Sequence, residues 1–208
     1  MDNADSTTNS GVHHTSSGFC NPYTSFESRG FADFLKWQCD RLSGKAARRS
    51  QVADLRFTNN DGALFRANRE HFTVTWIGHS TTLIQIAGCN ILTDPIFSER
   101  CSPVTWSGPK RHVPPSPQLG HLPRIDFVLL SHDHYDHLDK PTIKKLGNRP
   151  FYLAPLRVGK ILQSFGIDSK RIIEHDWWQS VEMEGLQFHC TPAQHFSGRG
   201  VHNRNETL

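Results

Sequence analysis

The stretch SHDHYDHLD, residues 131 to 139, packs three histidines and three aspartates into nine positions. Side chains two apart on an extended segment point the same way, so His132 and His134 can converge on one point. Asp136 and His137 come after the chain turns and can face a second point nearby. Neutral imidazoles and carboxylates are good zinc ligands. Two zinc ions roughly 3.5–4 Å apart can activate a water and neutralise charge on an attacked phosphoryl or acyl group. The plainer alternative is a histidine-rich surface loop. H-x-H-x-D-H directly after an apolar strand is a demanding pattern, and it favours the metal reading. Asp139 is the exception, because it reads better as a helix cap.

The elements around this stretch must position it. IDFVLLS (125–131) is nearly continuous in apolar residues, as expected of a strand buried on both faces. DKPTIKKLG reads as a short helix with Asp139 at its N-cap and Pro141 in its first turn. Upstream, FTVTWI alternates with a period of two and reads as a strand. TTLIQIAGCNILTDP follows as two strands joined by a turn at Gly88-Cys89-Asn90. Residues 103–123 hold six prolines and almost no periodicity, the mark of a long functional loop. FYLAP, LRVGKILQSFG, RIIEHD, QSVEM and LQFHCTPAQH continue as strand, helix and three strands. The fold class is α/β or α+β with layered sheet. Residues 1–18, rich in Ser, Thr, Asn and Gly, are expected to be disordered. Residues 19–70 are expected to hold a helix, with Phe31, Phe34, Leu35, Cys39 and Leu42 at helical spacing, and a basic linker.

Composition sets the bounds. The chain has 208 residues, 36% of them hydrophobic, enough for one domain with an extension. A net charge of +3 is too mild to imply nucleic-acid binding. Five cysteines, an odd number without CxxC spacing, read as reduced thiols. No signal pattern and no bilayer-length apolar run is present, so the expectation is a cytoplasmic protein, with peripheral membrane contact left open.

HDHYDH matches the H-x-H-x-D-H signature of the metallo-β-lactamase fold. WIGHSTTLIQIAGCNILTDPIFSERCSP, GPKRHVPP, IDFVLLSHDHYDHLD, EHDWWQSV and TPAQHFSGRG together resemble the branch of N-acylphosphatidylethanolamine-hydrolysing phospholipase D and its bacterial relatives. The resemblance runs from about residue 18 to the last. It implies an αββα sandwich and two zinc ions, with His132, His134 and His195 at the first and Asp136 and His137 beginning the second and serving as the candidate catalytic pair. His195 ends the apparent strand LQFHCTPAQH, where a ligand would sit. Asp94, in LTDP, is taken as a group orienting a histidine ligand, with a turn aspartate as the equal alternative. His79, in GHS, lies near the site or in a plain turn. Lys110 and Arg111 read as a solvated pair, and Trp177 and Trp178 as packing residues.

The family's second half supplies a bridging aspartate in a G-D-T-like segment and a later histidine. Neither occurs by Leu208. Residues 71–208 are therefore expected to be the N-terminal half to two-thirds of the fold, with the second sheet missing. Such a chain is expected to bind at most one zinc tightly, to associate with itself, and to turn over little substrate until extended. The full-length function implied is zinc-dependent hydrolysis of phosphodiesters of N-acyl phospholipids. The alternatives are a truncated non-catalytic fragment and a sugar-phosphate lactonase-like hydrolase. A nuclease is disfavoured by the weak basic character.

Overall fold

Alternating and continuous apolar runs form strands in most of the places the sequence indicates. The structure, a computed structural model, describes residues 11–23, 35–36, 39–40, 43, 58–200 and 203–208. The helix expected around Phe31–Leu42 lies for the most part outside these residues. A short helix, α1 (Ala63–Ala67), precedes β1 (Thr73–Gly78) and β2 (Thr81–Ile86), which pair antiparallel with Val74 opposite Ile84. β3 (Cys89–Thr93) returns along β2 with Ile86 opposite Cys89. The turn is therefore Ala87–Gly88, one residue earlier than the sequence suggested. Both residues have positive φ, 51° and 77°, as a two-residue hairpin turn of matching twist requires.

The Pro-rich stretch then carries the chain across to β4 (Phe127–Leu129), which runs parallel to β3. Helix α2 (Lys140–Leu146) leads to β5 (Phe151–Pro155), and α3 (Val158–Ser164) leads to β6 (Ile172–His175), both strands again parallel. The six strands form one sheet in the order β1 to β6. β3 to β6 are parallel, so their carboxyl ends share one edge, where ligands bind in open α/β sheets.

Strand alternation divides the sheet's side chains between two cores. Leu83, Leu92, Val128, Tyr152 and Ala154 face the helices and pack with Ile143 of α2 and with Val158 and Leu162 of α3. Ile91, Phe127 and Leu153 face the other way. They meet a second, two-stranded sheet made of β7 (Ser180–Met183) and β8 (Leu186–His189), through Val181, Met183, Leu186 and Phe188. The expectation that the second sheet is missing is corrected here, since the β7–β8 hairpin begins it. The layers are helix, sheet, sheet. Coverage is uneven, because Val74 (59%) and Trp76 (67%) on β1 are exposed.

Residues 11–18, within the stretch expected to be disordered, instead form with Phe19 and Cys20 a tight turn with a bridge between His14 and Phe19. The reason is burial: His13 is 1% exposed and stacks on Trp177, with ring centroids 4.1 Å apart. The five cysteines, all among the described residues, form no disulfide. No described helix is long and apolar enough to cross a membrane.

Phe127 joins the two sheets. Its ring lies 5.0 Å from that of Phe188 and 6.3 Å from that of Phe151. Phe127→Ala should cost about 3–5 kcal/mol, the range for deleting a buried aromatic ring. The urea midpoint should fall accordingly, and a midpoint shift worth under about 1 kcal/mol would mean that this inter-sheet core is not formed.

Candidate metal centre

β3 and β4 end side by side, and the first residues beyond them build the site. Asp94 follows β3 with a φ of 37° and is 8% exposed. A buried carboxylate needs partners. It finds them on the neighbouring strand end: Ser131 donates its backbone N–H to Oδ1 and its hydroxyl to Oδ2, each at 2.7 Å. Nδ1 of His137 lies 2.9 Å from the same Oδ2. Asp94 thus orients a histidine of the H-x-H-x-D-H stretch, as one of its two sequence readings held.

His132 and His134 do converge. Nε2 of His132 is 3.0 Å from Nδ1 of His134, which is 3.2 Å from Nε2 of His195. These separations are close to the edge of a tetrahedron, about 3.3 Å, around an ion with 2.0–2.1 Å bonds. The three nitrogens are one group of donors. Nδ1 of His132 lies 2.9 Å from Ser131 Oγ. The Ser131 proton goes to Asp94, so the N–H of His132 is assigned to Nδ1, which leaves the Nε2 lone pair facing the other imidazoles. The same logic assigns the Nδ1 proton of His137 to the bond with Asp94 and frees its Nε2.

A second group is His79, Asp136 and His137. His79 Nε2 lies 3.1 Å from Asp136 Oδ2, and His137 Nε2 lies 3.7 Å from the same oxygen. The sequence offered only Asp136 and His137 here, and left His79 either near the site or in a plain turn. The β1–β2 turn brings His79 in as a third candidate donor beside the two that the sequence offered. The two groups adjoin, with the ring centroids of His132 and His137 4.1 Å apart.

The electrostatics favour ligand-ready protonation states in one group. Burial first, then the neighbouring imidazoles of His137, His134 and His195, push His132 down to about 3. Burial and His195 also lower His134. Burial opposes ionisation of Asp136, but its bond to His79 and the nearby His137 win, and its pKa is lowered. Burial likewise pulls His137 down, but hydrogen bonding to Asp94 and the charges of Asp94 and Asp136 raise it overall.

His195 does not end a strand. β8 stops at His189, and His195 lies six residues further, on an irregular segment. That segment is braced by residues the sequence reading did not assign. Asp133, between His132 and His134, turns the other way and accepts the Gly198 N–H at 2.6 Å. Arg199 donates to the Asp133 and Leu138 carbonyls at 2.6 and 2.8 Å, and its guanidinium lies 4.0 Å from the Tyr135 ring centroid. The Tyr135 hydroxyl donates to the Arg199 carbonyl at 2.9 Å. The alternation His-Asp-His-Tyr was the available signal, since residues between two converging ligands must face elsewhere.

The remaining candidates fall outside the centre. Asp139 occupies the N-cap of α2, but its carboxylate makes no cap bond to the helix and is bonded by Ser98 and by the Thr142 hydroxyl. Lys110 pairs with Glu99 at the surface, and Arg111 donates to the carbonyls of Ser98 and Ile96. Trp177 is buried, whereas Trp178 is exposed.

Two outcomes follow. Asp94→Asn should weaken metal binding, with zinc as the probe, about 10–100-fold, the usual cost of losing an orienting partner, as read by competition with a chromogenic chelator. Unchanged affinity would show that Asp94 orients nothing. The second outcome concerns pH. The folded His132 protonates near 3 and an unfolded histidine near 6.5, so the unfolded state takes the proton first. His134 acts in the same direction, and His137, raised, acts oppositely. Metal-free protein should therefore lose the His132 contribution as pH falls from about 6.5 toward about 3. Urea midpoints in chelator at about pH 7 and pH 5 should converge in His132→Asn relative to the unchanged chain.

Comparisons with known proteins show the family. Residues 89–208 match the family described as a beta-lactamase superfamily domain. An uncharacterized protein of Mycobacterium tuberculosis is 48% identical over 147 residues, 70% of this chain and 39% of that one. The N-acyl-phosphatidylethanolamine-hydrolyzing phospholipase D 1 of Caenorhabditis elegans is 37% identical over 144 residues, 64% of this chain and 40% of that one. The mitochondrial N-acyl-phosphatidylethanolamine-hydrolyzing phospholipase D of Saccharomyces cerevisiae is 33% identical over 140 residues, 64% of this chain and 29% of that one. The chain thus spans well under half the length of these relatives. With the histidine-aspartate stretch at the carboxyl end of β4 and the family match from Cys89 to Leu208, the chain belongs to the metallo-β-lactamase superfamily.

Proposed function

We propose that this chain forms the metal-holding part of a zinc-dependent phosphodiesterase that acts on N-acyl phospholipids in the manner of a phospholipase D. The observation that carries the proposal is the abutment of two three-donor groups at one sheet edge, joined by the 4.1 Å contact between His132 and His137. Their nitrogen and carboxylate donors suit zinc. A bound zinc ion supplies Lewis-acid chemistry, activating water and offsetting charge on a phosphoryl oxygen. The substrate class in this proposal is taken from the names of two relatives, both N-acyl-phosphatidylethanolamine-hydrolyzing phospholipases D.

The chain's own residues have separate tasks in this scheme. His132, His134 and His195 present lone pairs, and Asp94 with Ser131 fixes the rings of His132 and His137. Asp136, ionised and half-buried, is the proton acceptor at the centre. Water adds to phosphorus, the bond to the ethanolamine oxygen breaks, and the N-acylethanolamine leaves with a proton. Beside His132 and His195 a pocket of about 100 Å³ is walled by Phe19, Trp177 and Phe196, apolar surface that suits a lipid substrate.

The test uses residues 1–208 extended with a family-type C-terminal part. Zinc-loaded protein should convert N-acylphosphatidylethanolamine vesicles to phosphatidic acid and N-acylethanolamine. Chelator should abolish turnover, and His134→Ala or Asp136→Ala should lower it at least about 100-fold. Turnover that ignores both substitutions, or cleavage of a sugar-phosphate lactone with the phosphodiester untouched, would refute the proposal.

A further inference from the structure

A second cluster of metal-binding side chains lies away from the site described above. His13 and His14 are adjacent in the N-terminal turn, and both aim at one carboxylate, that of Asp176, just beyond β6. Nε2 of His13 lies 2.6 Å from Oδ1 and Nε2 of His14 lies 2.7 Å from Oδ2. The segments they join are more than 160 residues apart in sequence. We propose that His13, His14 and Asp176 form a structural zinc site that clamps the N-terminal segment onto the turn after β6.

The donor set is two imidazole nitrogens and one carboxylate oxygen, which suits zinc with water in the fourth position. The carboxylate is held as a ligating carboxylate usually is, because Oδ1 also accepts the Trp177 N–H at 2.8 Å. The Asp176 N–H in turn donates to Gln179 Oε1 at 2.8 Å. His13 is fixed between Asp176 and the Trp177 ring. His14 is partly exposed, its side chain at 39%, and leaves the approach open to water and ion. Zinc ligation widens the nitrogen–oxygen separations to about 3.3 Å, the edge of a tetrahedron with 2.0–2.1 Å bonds. The exposed His14 has room for that step. Without metal the same groups form a plain hydrogen-bonded clasp, which is the rival account.

The site has a structural consequence. Phe19 and Trp177, which flank the cluster, also line the pocket that opens onto His132 and His195. The clamp would therefore hold one wall of that pocket. The segment has other anchors: the Phe19 N–H donates to the Asn205 carbonyl at 2.8 Å, and Arg157 donates to the Ser17 carbonyl at 2.9 Å. Removing the exposed His14 thus leaves the turn attached, and its loss is readable without unfolding.

The experiment measures zinc per chain by plasma mass spectrometry after loading and dialysis of the 208-residue protein. His14→Ala should lose one equivalent. His134→Ala should lose a different one, and the double variant should lose both. Asp176→Asn, which keeps the shape of the side chain but not its charge, should lose the same equivalent as His14→Ala, with an unchanged far-ultraviolet spectrum. Zinc should slow amide exchange of residues 11–20 in the unchanged protein and in His134→Ala, but not in His14→Ala. Equal zinc content in the unchanged protein and both clamp variants, or exchange indifferent to zinc, would overturn the proposal in favour of the hydrogen-bonded clasp. A protein that binds no zinc would overturn it too.

Discussion

The centre depends on one buried carboxylate. Asp94 lies where β3 ends, largely buried, and an unpaired charge there would be costly. Its partners come from the chain that follows the adjacent strand: two bonds from Ser131 and one from His137. Those bonds do more than satisfy Asp94. They fix the direction in which the chain leaves β4, and so set which side chains of the next six residues point inward. Through Ser131 Oγ they also select the tautomer of His132. The parallel pairing of Thr93 with Leu129 is what brings the two strand ends level.

A second constraint holds His195. It lies on irregular chain, where no strand ladder restrains it. Asp133 and Arg199 replace the ladder, tying the segment 198–199 to the backbone of the histidine-aspartate stretch. The histidine-aspartate stretch is thus used on both sides. Its even-numbered histidines face the centre, while Asp133 and Tyr135 hold the segment that delivers the third donor. Burial of Arg199 lowers its pKa, which Tyr135, Asp133 and Asp139 oppose. A guanidinium remains charged through such shifts, so its bonds to the carbonyls persist at every working pH.

What could be read from the sequence follows a physical division. Strands β1 to β6 were legible because their apolar patterns are local and strong, as in FVLL for β4 and YLA for β5. Convergence of His132 and His134 was legible because it needs only the period of an extended chain. His79 as a third donor was not, because its approach to Asp136 depends on the packing of the β1–β2 turn against the loop after β4, a contact spanning 57 residues. His195 was found through the family pattern but was placed on a strand that in fact stops at His189. The turn at residues 11–20 was missed for a related reason. Its composition is that of a disordered tail, and it is ordered by long-range contacts with Trp177, Asp176 and Asn205 that no local signal encodes. The β7–β8 hairpin was read as strands but not as a second layer, since facing is decided by Phe127 and Leu153 across the gap.

The most direct test of the central claim is an anomalous difference map from crystals of the zinc-loaded protein, collected at the zinc edge. The account predicts a peak bounded by Nε2 of His132, Nδ1 of His134 and Nε2 of His195, and a neighbouring peak bounded by His79, Asp136 and His137. In Asp94→Asn crystals both peaks should weaken while the fold stays unchanged. A map with no density between His132, His134 and His195 would contradict the account, as would zinc held there through different ring nitrogens.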